Sequence, residues 1–388
     1  MTNAPARTTA HLIIGGGLAG AMTGLRLAAA GREATILERE CTAHHKVCGE
    51  FLSREAVEYL QETGVDPLEL GAHPIRFVRL TAKRHLVEAA LPFTALSLSR
   101  CVLDEALLAR AAHAGCGIER GAFVESLSHH QGQWRAQLRG GETWTAENAF
   151  LASGKHDLRG LERQAGPHGD LVGFKLHWRL APAQIEGLRE CMELYLFPGG
   201  YGGLSLVEGD TANFCLVVRR TVLRKLGGWP ELLAAIQNEN PHIAERLSDA
   251  SALWDRPLAV SSIPYGYLAG RPDGLWCVGD QSACIPSFTG DGMSIALHSG
   301  ALAAQMALAG ESAELYHQRL SAQLNRAMGL ATFLSRTIVS SAGRMLAPVG
   351  LSIFPHAMNW IAASTRIPDR ALKQTLGRTQ PQRRFLPS

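Results

Sequence analysis

Three clusters in this 388-residue sequence bring together residue types that do chemistry. The first is Gly15-x-Gly17-x-x-Gly20, with Gly24 beyond it and Glu38 placed 18 residues after Gly20. Gly15 permits a tight turn, Gly17 lets the backbone approach a diphosphate with no Cβ in the way, and Gly20 lets a helix pack closely on a strand. Phosphates then sit at a helix N-terminus, where unpaired N–H groups and the helix dipole favour anions. A carboxylate at the position of Glu38 accepts hydrogen bonds from ribose hydroxyls. The second cluster is Gly279-Asp280, then Pro286-Ser-Phe-Thr-Gly290-Asp291-Gly292 opening towards Met293. A carboxylate at a strand end suits a polyol chain, and N–H groups at a helix start stabilise a ring that becomes anionic on reduction. The third is Lys46-Val47-Cys48-Gly49-Glu50. Its thiol either tunes or relays a proton at a reactive centre, with a pKa set by local charge, or fills space as a small hydrophobe.

These residues need elements to hold them. Thr9–Ile14 reads as a short buried strand, the run to about Ala30 as a helix and Ala34–Leu37 as a second strand, so the first glycine cluster lies in a βαβ unit of about 30 residues. Residues 52–63 and 100–114 read as helices, the second with Ser99 as N-cap and Asp104 near its first turn. Short alternating runs over 120–152, namely 123–127, 134–138, 142–145 and 149–152, predict a β-meander. Residues 171–178, 192–197, 203–207 and 213–218 predict a second sheet, Leu275–Val278 a buried strand and Met293–Ala309 a long apolar helix.

Composition narrows the class. Hydrophobic residues make up 46% and charged residues 19%, as in globular proteins. A net charge of +3 gives no case for nucleic acid. Eight cysteines show neither CxxC pairs nor zinc spacing, which predicts no metal, and a start without an apolar leader predicts a cytoplasmic protein with reduced thiols. Residues 345–365 lack Asp, Glu, Lys and Arg, but Pro348, Pro355, His356 and Asn359 interrupt them. They are expected to form a buried helical pair, with peripheral contact at the inner face of a membrane as the alternative. The polar tail carrying Arg383 and Arg384 is expected to be mobile.

With these segments in order, the chain resembles the flavoproteins that include para-hydroxybenzoate-hydroxylase-type monooxygenases, flavin-dependent halogenases and geranylgeranyl reductases. GGGLAG with Glu38-Arg39 resembles their ADP-binding unit, Ser99-Arg100 with Asp104 the helix start whose arginine approaches the FAD phosphates, and Gly279-Asp280 to Gly292 the flavin and ribityl motif. Lys46–Glu50 resembles the Cys-Gly loop over the flavin in the geranylgeranyl reductase branch, and Tyr195-x-Phe197-Pro198 the end of that branch's YxWxFP motif. The hydroxylases' mid-chain Asp-Gly motif is replaced by Ala152-Ser-Gly154-Lys-His-Asp157-Leu-Arg159, and the halogenases' paired tryptophans are not found.

The resemblance implies an α/β architecture: a Rossmann-like, three-layer FAD-binding domain from 1–75, 98–165 and 270–325, an inserted antiparallel-sheet substrate domain from 76–97 and 166–269, and a helical C-terminal region over 326–388. It implies FAD held by Gly15, Gly17, Gly20, Glu38, Arg39, Cys48, Arg100, Val124, Gly279, Asp280, Gly290, Gly292 and Met293. With no second GxGxxG, NADPH or NADH is expected as a transient donor. Cys48 and Asp291 are the catalytic candidates, Asp291 having an N-cap as its plainer role, and Trp178, Tyr195 and Phe197 the substrate-lining ones, with strand core as the alternative. His44, His45 and Lys46 are expected as a solvated loop rather than a nicotinamide phosphate site, while Asp157 and Arg159 form an ion pair or touch the cofactor. The expected reaction is hydroxylation of an apolar or aromatic small molecule by reduced flavin and oxygen. Reduction of a carbon–carbon double bond in a lipid-like substrate is the alternative, and a flavin-binding, membrane-associated protein without turnover the third reading.

Overall fold

Leu12–Ile14 is apolar without alternation, as a strand covered on both faces must be, and it ends β1 (Arg7–Ile14) inside a seven-stranded sheet. In this computed structural model, which describes residues 6–163, 169–270, 273–340 and 356–378, β1 lies parallel to β2 (Ala34–Glu38) on one side and to β9 (Thr143–Leu151) on the other. Beyond β2 lies the parallel β6 (Gly117–Arg120), and beyond β9 the antiparallel β8 (Gln133–Leu138) and β7 (Val124–His130). β9 is one nine-residue strand where two short ones are expected, because no glycine interrupts residues 143–151. Its first half pairs with β8, and Phe150 and Leu151 pair with β17 (Trp276–Cys277).

The second sheet has nine strands and is mostly antiparallel. Its path runs β14 (Ser251–Ala252), β10 (Leu171–Arg179), β13 (Thr211–Arg219), β12 (Gly200–Val207), β11 (Cys191–Phe197), β4 (His73–Ala82), β5 (His85–Ser97) and β3 (Phe51–Leu52), with β15 (Leu258–Ser261) also on β10. β16 (Tyr267–Leu268) and β18 (Ala283–Cys284) form a small ribbon. The sequence places 76–97 in the inserted domain without marking the β4–β5 hairpin, since its strands alternate weakly and β5 is largely exposed along its middle. One face of this sheet packs Phe174, Leu176, Trp178, Tyr195, Phe197 and Phe214 against residues 229–247.

Helix α1 (Leu18–Ala29) starts at Gly17 and covers the first sheet together with α3 (Arg100–His113). It also crosses the helix Gly292–Leu308 very closely. A Cβ at Gly300 would lie 2.4 Å from the Ala19 carbonyl oxygen, and one at Gly279 would lie 2.9 Å from the Ala19 Cβ. Thr23 Oγ1 donates to the Ala19 and Gly300 carbonyls at 2.8 and 3.3 Å. This crossing sets the two glycine clusters side by side. Beyond it, α2 (Arg54–Glu62) leans on the same helix, with Tyr59 Oη 2.7 Å from His298 Nδ1. Among the described residues no helix is long and apolar enough to cross a membrane. Residues 345–355, Arg383 and Arg384 lie outside the described residues, and 356–364 form a helix.

Two outcomes test this packing. Gly300→Val should cost about 3 kcal/mol or more, because a side chain is driven into the backbone of α1, and the fall should show as a lower Tm with loss of any bound cofactor. His298 is fully buried, and burial pushes its pKa down to about 4 from 6.5. The unfolded chain therefore takes up the proton first, so this contribution is complete above pH 6.5 and is lost as pH falls towards 4, about 3 kcal/mol in all. Urea unfolding at pH 7 and pH 5 should show about 2 kcal/mol of that loss, and His298→Gln should lessen the pH dependence by that amount while other buried imidazoles such as His45 keep theirs.

Candidate functional site

A cavity of about 590 Å³ opens between the two sheets, within the range that takes a small molecule or cofactor. Gly15, Gly17, Glu38, Arg39, Cys48 and Arg100 line one part of it, and Val124, Gly279, Asp280, Gly290, Gly292 and Met293 another. Gly20 stands behind them: a Cβ there would lie 1.9 Å from the Gly15 carbonyl oxygen, so its part is the close packing of α1 on the turn.

The turn at Gly15 (φ 108°) uses backbone that other residues adopt only with strain. Glu38, at the end of β2, accepts from Gly16 N at 2.7 Å and Glu40 N at 2.9 Å, which fixes its carboxylate at the rim of the turn. At Gly17 a Cβ would point into space 3.4 Å from Arg100 Nη2 and 3.5 Å from Lys46 Nζ. Two cations thus converge on the N-terminus of α1, whose first residue carries no side-chain cap. Asp104 steadies both: Arg100 bonds it at 2.7 and 2.9 Å and Lys46 at 2.8 Å. Burial works against the Asp104 charge, but Arg100 and Lys46 outweigh it and hold the carboxyl below its usual range. A diphosphate is the ligand such a corner fits. At the other end, Gly279 N donates to Ser299 Oγ at 2.8 Å, and Asp280 faces Lys155 Nζ at 3.7 Å. Lys155 also reaches the Val47 carbonyl at 3.4 Å, tying the ribityl-type motif to the Cys48 loop.

Several expectations are corrected. Trp178, Tyr195 and Phe197 lie on the far face of the second sheet; Tyr195 is fully buried, its hydroxyl donating to Glu193 Oε2. Side chains alternate along β11, so Met192 and Leu194 take the cavity face instead. Asp291 precedes the helix Gly292–Leu308 but makes no cap and does not line the cavity. Burial raises its carboxyl pKa although Arg366 opposes the rise, and Arg366, 2.6 Å away, is the member that reaches the cavity. The His44–Lys46 segment is not a solvated loop: Lys46 is ion-paired, and His45 packs 4.8 Å from both His177 and Trp254. Of the two expectations for Asp157, the ion pair with Arg159 is replaced by one with Arg163 at 2.6 Å, while its place on the cavity lining agrees with the other; Arg163 also donates to the Asp280 carbonyl. Sequence reasoning included Glu50 and Lys155 within motifs but gave them no role, and missed Lys175 and His177. A lysine and a histidine two apart in the otherwise apolar LVGFKLHW run were the available signal.

Comparison with known proteins agrees with this geometry. Residues 8–149 match the FAD binding domain family. An FAD-binding domain over these residues is what the sequence match supports. The chain is 23% identical over 343 residues to a menaquinone reductase of Mycobacterium tuberculosis, covering 84% of the chain and 82% of that protein. It is 26% identical over 323 residues to digeranylgeranylglycerophospholipid reductase 2 of Methanopyrus kandleri, covering 76% of each. Its fold matches the flavin-dependent brominase Bmp2 with a TM-score of 0.76 at 15% identity, over 95% of the chain and 98% of that structure.

The diphosphate corner gives a direct test. Gly17 has φ −73°, which any residue adopts, so Gly17→Val should fold with an unchanged circular dichroism spectrum and Tm as apoprotein, yet bind FAD at least about 100-fold more weakly in a fluorescence titration. A variant that purifies fully yellow would remove this loop from the FAD site.

Proposed function

We propose that this protein is an FAD-dependent oxidoreductase that reduces a carbon–carbon double bond in an elongated apolar substrate, with NADPH or NADH as a transient donor. The observation that carries this is the cavity's apolar sleeve. Val78, Leu80, Ala89 and Leu91 from the β4–β5 hairpin, with Met192 and Leu194 from β11, form one wall. Ile361 and Ala362, on the helix over 356–364, form another. Such walls bury about 25 cal/mol of favourable free energy per Å² of apolar surface, so an acyl or isoprenoid chain suits them better than a compact polar ring. The names of the two relatives, both reductases, point the same way.

FAD, when bound, supplies the hydride in this reading. The chain's own residues do the rest. Arg100, Lys46 and the N-terminus of α1 anchor the diphosphate, and Asp280 with Lys155 fixes the ribityl end. Asn213 Nδ2 donates to the Cys48 carbonyl at 3.2 Å, which holds the Cys48 loop against the cavity. Hydroxylation is the second reading, favoured by the dry wall of Val217, Ile263 and Ile285 that would exclude water from a reactive site.

The test starts from protein reduced anaerobically with NADPH and mixed with a geranylgeranyl lipid or a menaquinone. Product gaining two hydrogens across a side-chain double bond, as distinct from reduction of the menaquinone ring to its quinol, supports the proposal. Product gaining an oxygen atom only when air is admitted establishes hydroxylation, and neither change overturns both. Cys48→Ala should keep its FAD and slow the substrate step by about 100-fold, because the Sγ contact to Glu50 N that positions the loop is lost; unchanged turnover returns Cys48 to a packing role.

A further inference from the structure

Strand β10 carries a lysine in its middle that never meets water. Phe174, Leu176 and Trp178 pack on the far face of the sheet, so Lys175 and His177 point to the near one. Register continues that polar row: Lys175 lies opposite Cys215 and His177 opposite Asn213, which in turn lies opposite Ser205. Lys175 is 0% and His177 3% exposed. Both reach Glu50, itself 0% exposed, Lys175 through Oε1 and His177 Nε2 at 3.2 Å from Oε2. Arg100 N adds a bond at 2.8 Å to Oε1. Burial opposes the Glu50 charge, but His177 and Lys175 hold the carboxyl below its usual range.

Glu50 also has φ 58°, in the left-handed region, a strain of about 1 kcal/mol or more for a residue with a Cβ. Bonds from Leu98 N and Ser97 Oγ to its carbonyl, both 3.2 Å, hold it there. A buried ion pair adds little to stability over an apolar set of the same volume, so packing alone does not account for this centre. It sits directly behind Cys48, whose Sγ accepts from Glu50 N at 3.3 Å.

The exit is His45. It lines the cavity, rests against His177 and Trp254, and keeps a buried Nδ1 without a partner. Ligand-type atoms of His45, Glu50 and His177 lie within 4.8 Å of one another, a span one water bridges. A divalent metal would meet the Lys175 ammonium already bound to the same carboxylate, so the charge favours a proton over a metal.

The geometry points to a proton-transfer site in which Glu50, Lys175 and His177 hold a proton behind the Cys48 loop and His45 passes it to the molecule in the cavity. This rests on the reductive reading above. One alkene carbon takes the hydride from the reduced cofactor; the π electron pair on the other carbon forms its new C–H bond with the proton leaving His45. His45 regains that proton from His177, and solvent makes good the net loss. The charged and titratable groups facing this pair are Glu50, Lys175 and Glu208, with Cys215, Lys155 and Arg100 beyond them. Burial first, then Lys175 and His177, push the His45 pKa down to about 4 against Glu50 and Glu208. An imidazolium there is short-lived and a strong donor.

The test uses holoenzyme and the variants His45→Gln and His177→Gln, which leave the Glu50–Lys175 pair in place. In single-turnover mixing with a geranylgeranyl lipid, each variant should slow the substrate step at least tenfold with KM unchanged, flatten its pH profile, and keep wild-type FAD content and dithionite reduction. A wild-type rate and pH profile in both variants overturns the site. Nitrogen-15 imidazole spectra give a readout that needs no turnover: the His45 midpoint, well below 6.5 in the parent, should rise in His177→Gln as a like-charged neighbour is lost. A His45 that titrates near 6.5 and ignores the His177 change also overturns it, as does stoichiometric zinc that disappears in His177→Gln. If the parent reduces no double bond while the two imidazoles titrate as a coupled pair, the reductive reading fails and the proton site stands.

Discussion

Ala19 is the residue on which the architecture turns. Its carbonyl lies where a Cβ of Gly300 would be, and its own methyl lies where a Cβ of Gly279 would be. That contact fixes the distance between α1 and the helix Gly292–Leu308, and so between the turn at Gly15–Gly17 and the loop at Gly290, the two segments proposed for the phosphates and the ring of FAD. Interiors are packed as tightly as organic crystals, so a spacing set in this way is stiff. Both ends of one extended ligand are then held on one scaffold. The cations at the phosphate end, Arg100 and Lys46, need only share Asp104 to be aimed.

The second sheet divides its labour by face and by edge. Its far face is a core of aromatic and branched residues. Its near face is apolar along β4 and β11, where a substrate chain would lie, and polar at β10 and β13, beneath the Cys48 loop. The loop is held from three directions, by Lys155 from the first sheet, by Asn213 from the second and by Glu50 from its own strained turn. Chemistry is concentrated where those directions meet.

How much of this could be read in advance depended on the range of the interaction. The βαβ unit, the place of Glu38 at the strand end and the placement of Gly279 and Gly290 follow from local rules of turn geometry and helix ends, and the cavity lining matches them. The faces of β11 did not follow. A strand buried on both sides shows no polar alternation, so Tyr195 and Phe197 could not be told from Met192 and Leu194 until the register with β4 and β12 was known. Asp291 was placed at a helix start by sequence distance, whereas its partner Arg366 lies 75 residues on. His45 looked like part of a wet loop because the groups that bury it, His177 and Trp254, come from elsewhere in the chain.

The double use of β9 bears on how the molecule is made. Phe150 pairs with Trp276, so the sheet waits on residues synthesised 126 positions later to complete that edge. By the time residues 8–149 have emerged, the turn proposed for the phosphates has been made, but the Gly279–Gly292 segment proposed for the ring has not been translated. Loop closure across the whole second sheet must come before full affinity for the cofactor. FAD should thus be captured late, as a clasp on a finished chain rather than a nucleus for its folding, and its mass action then favours only molecules whose two sheets have already met.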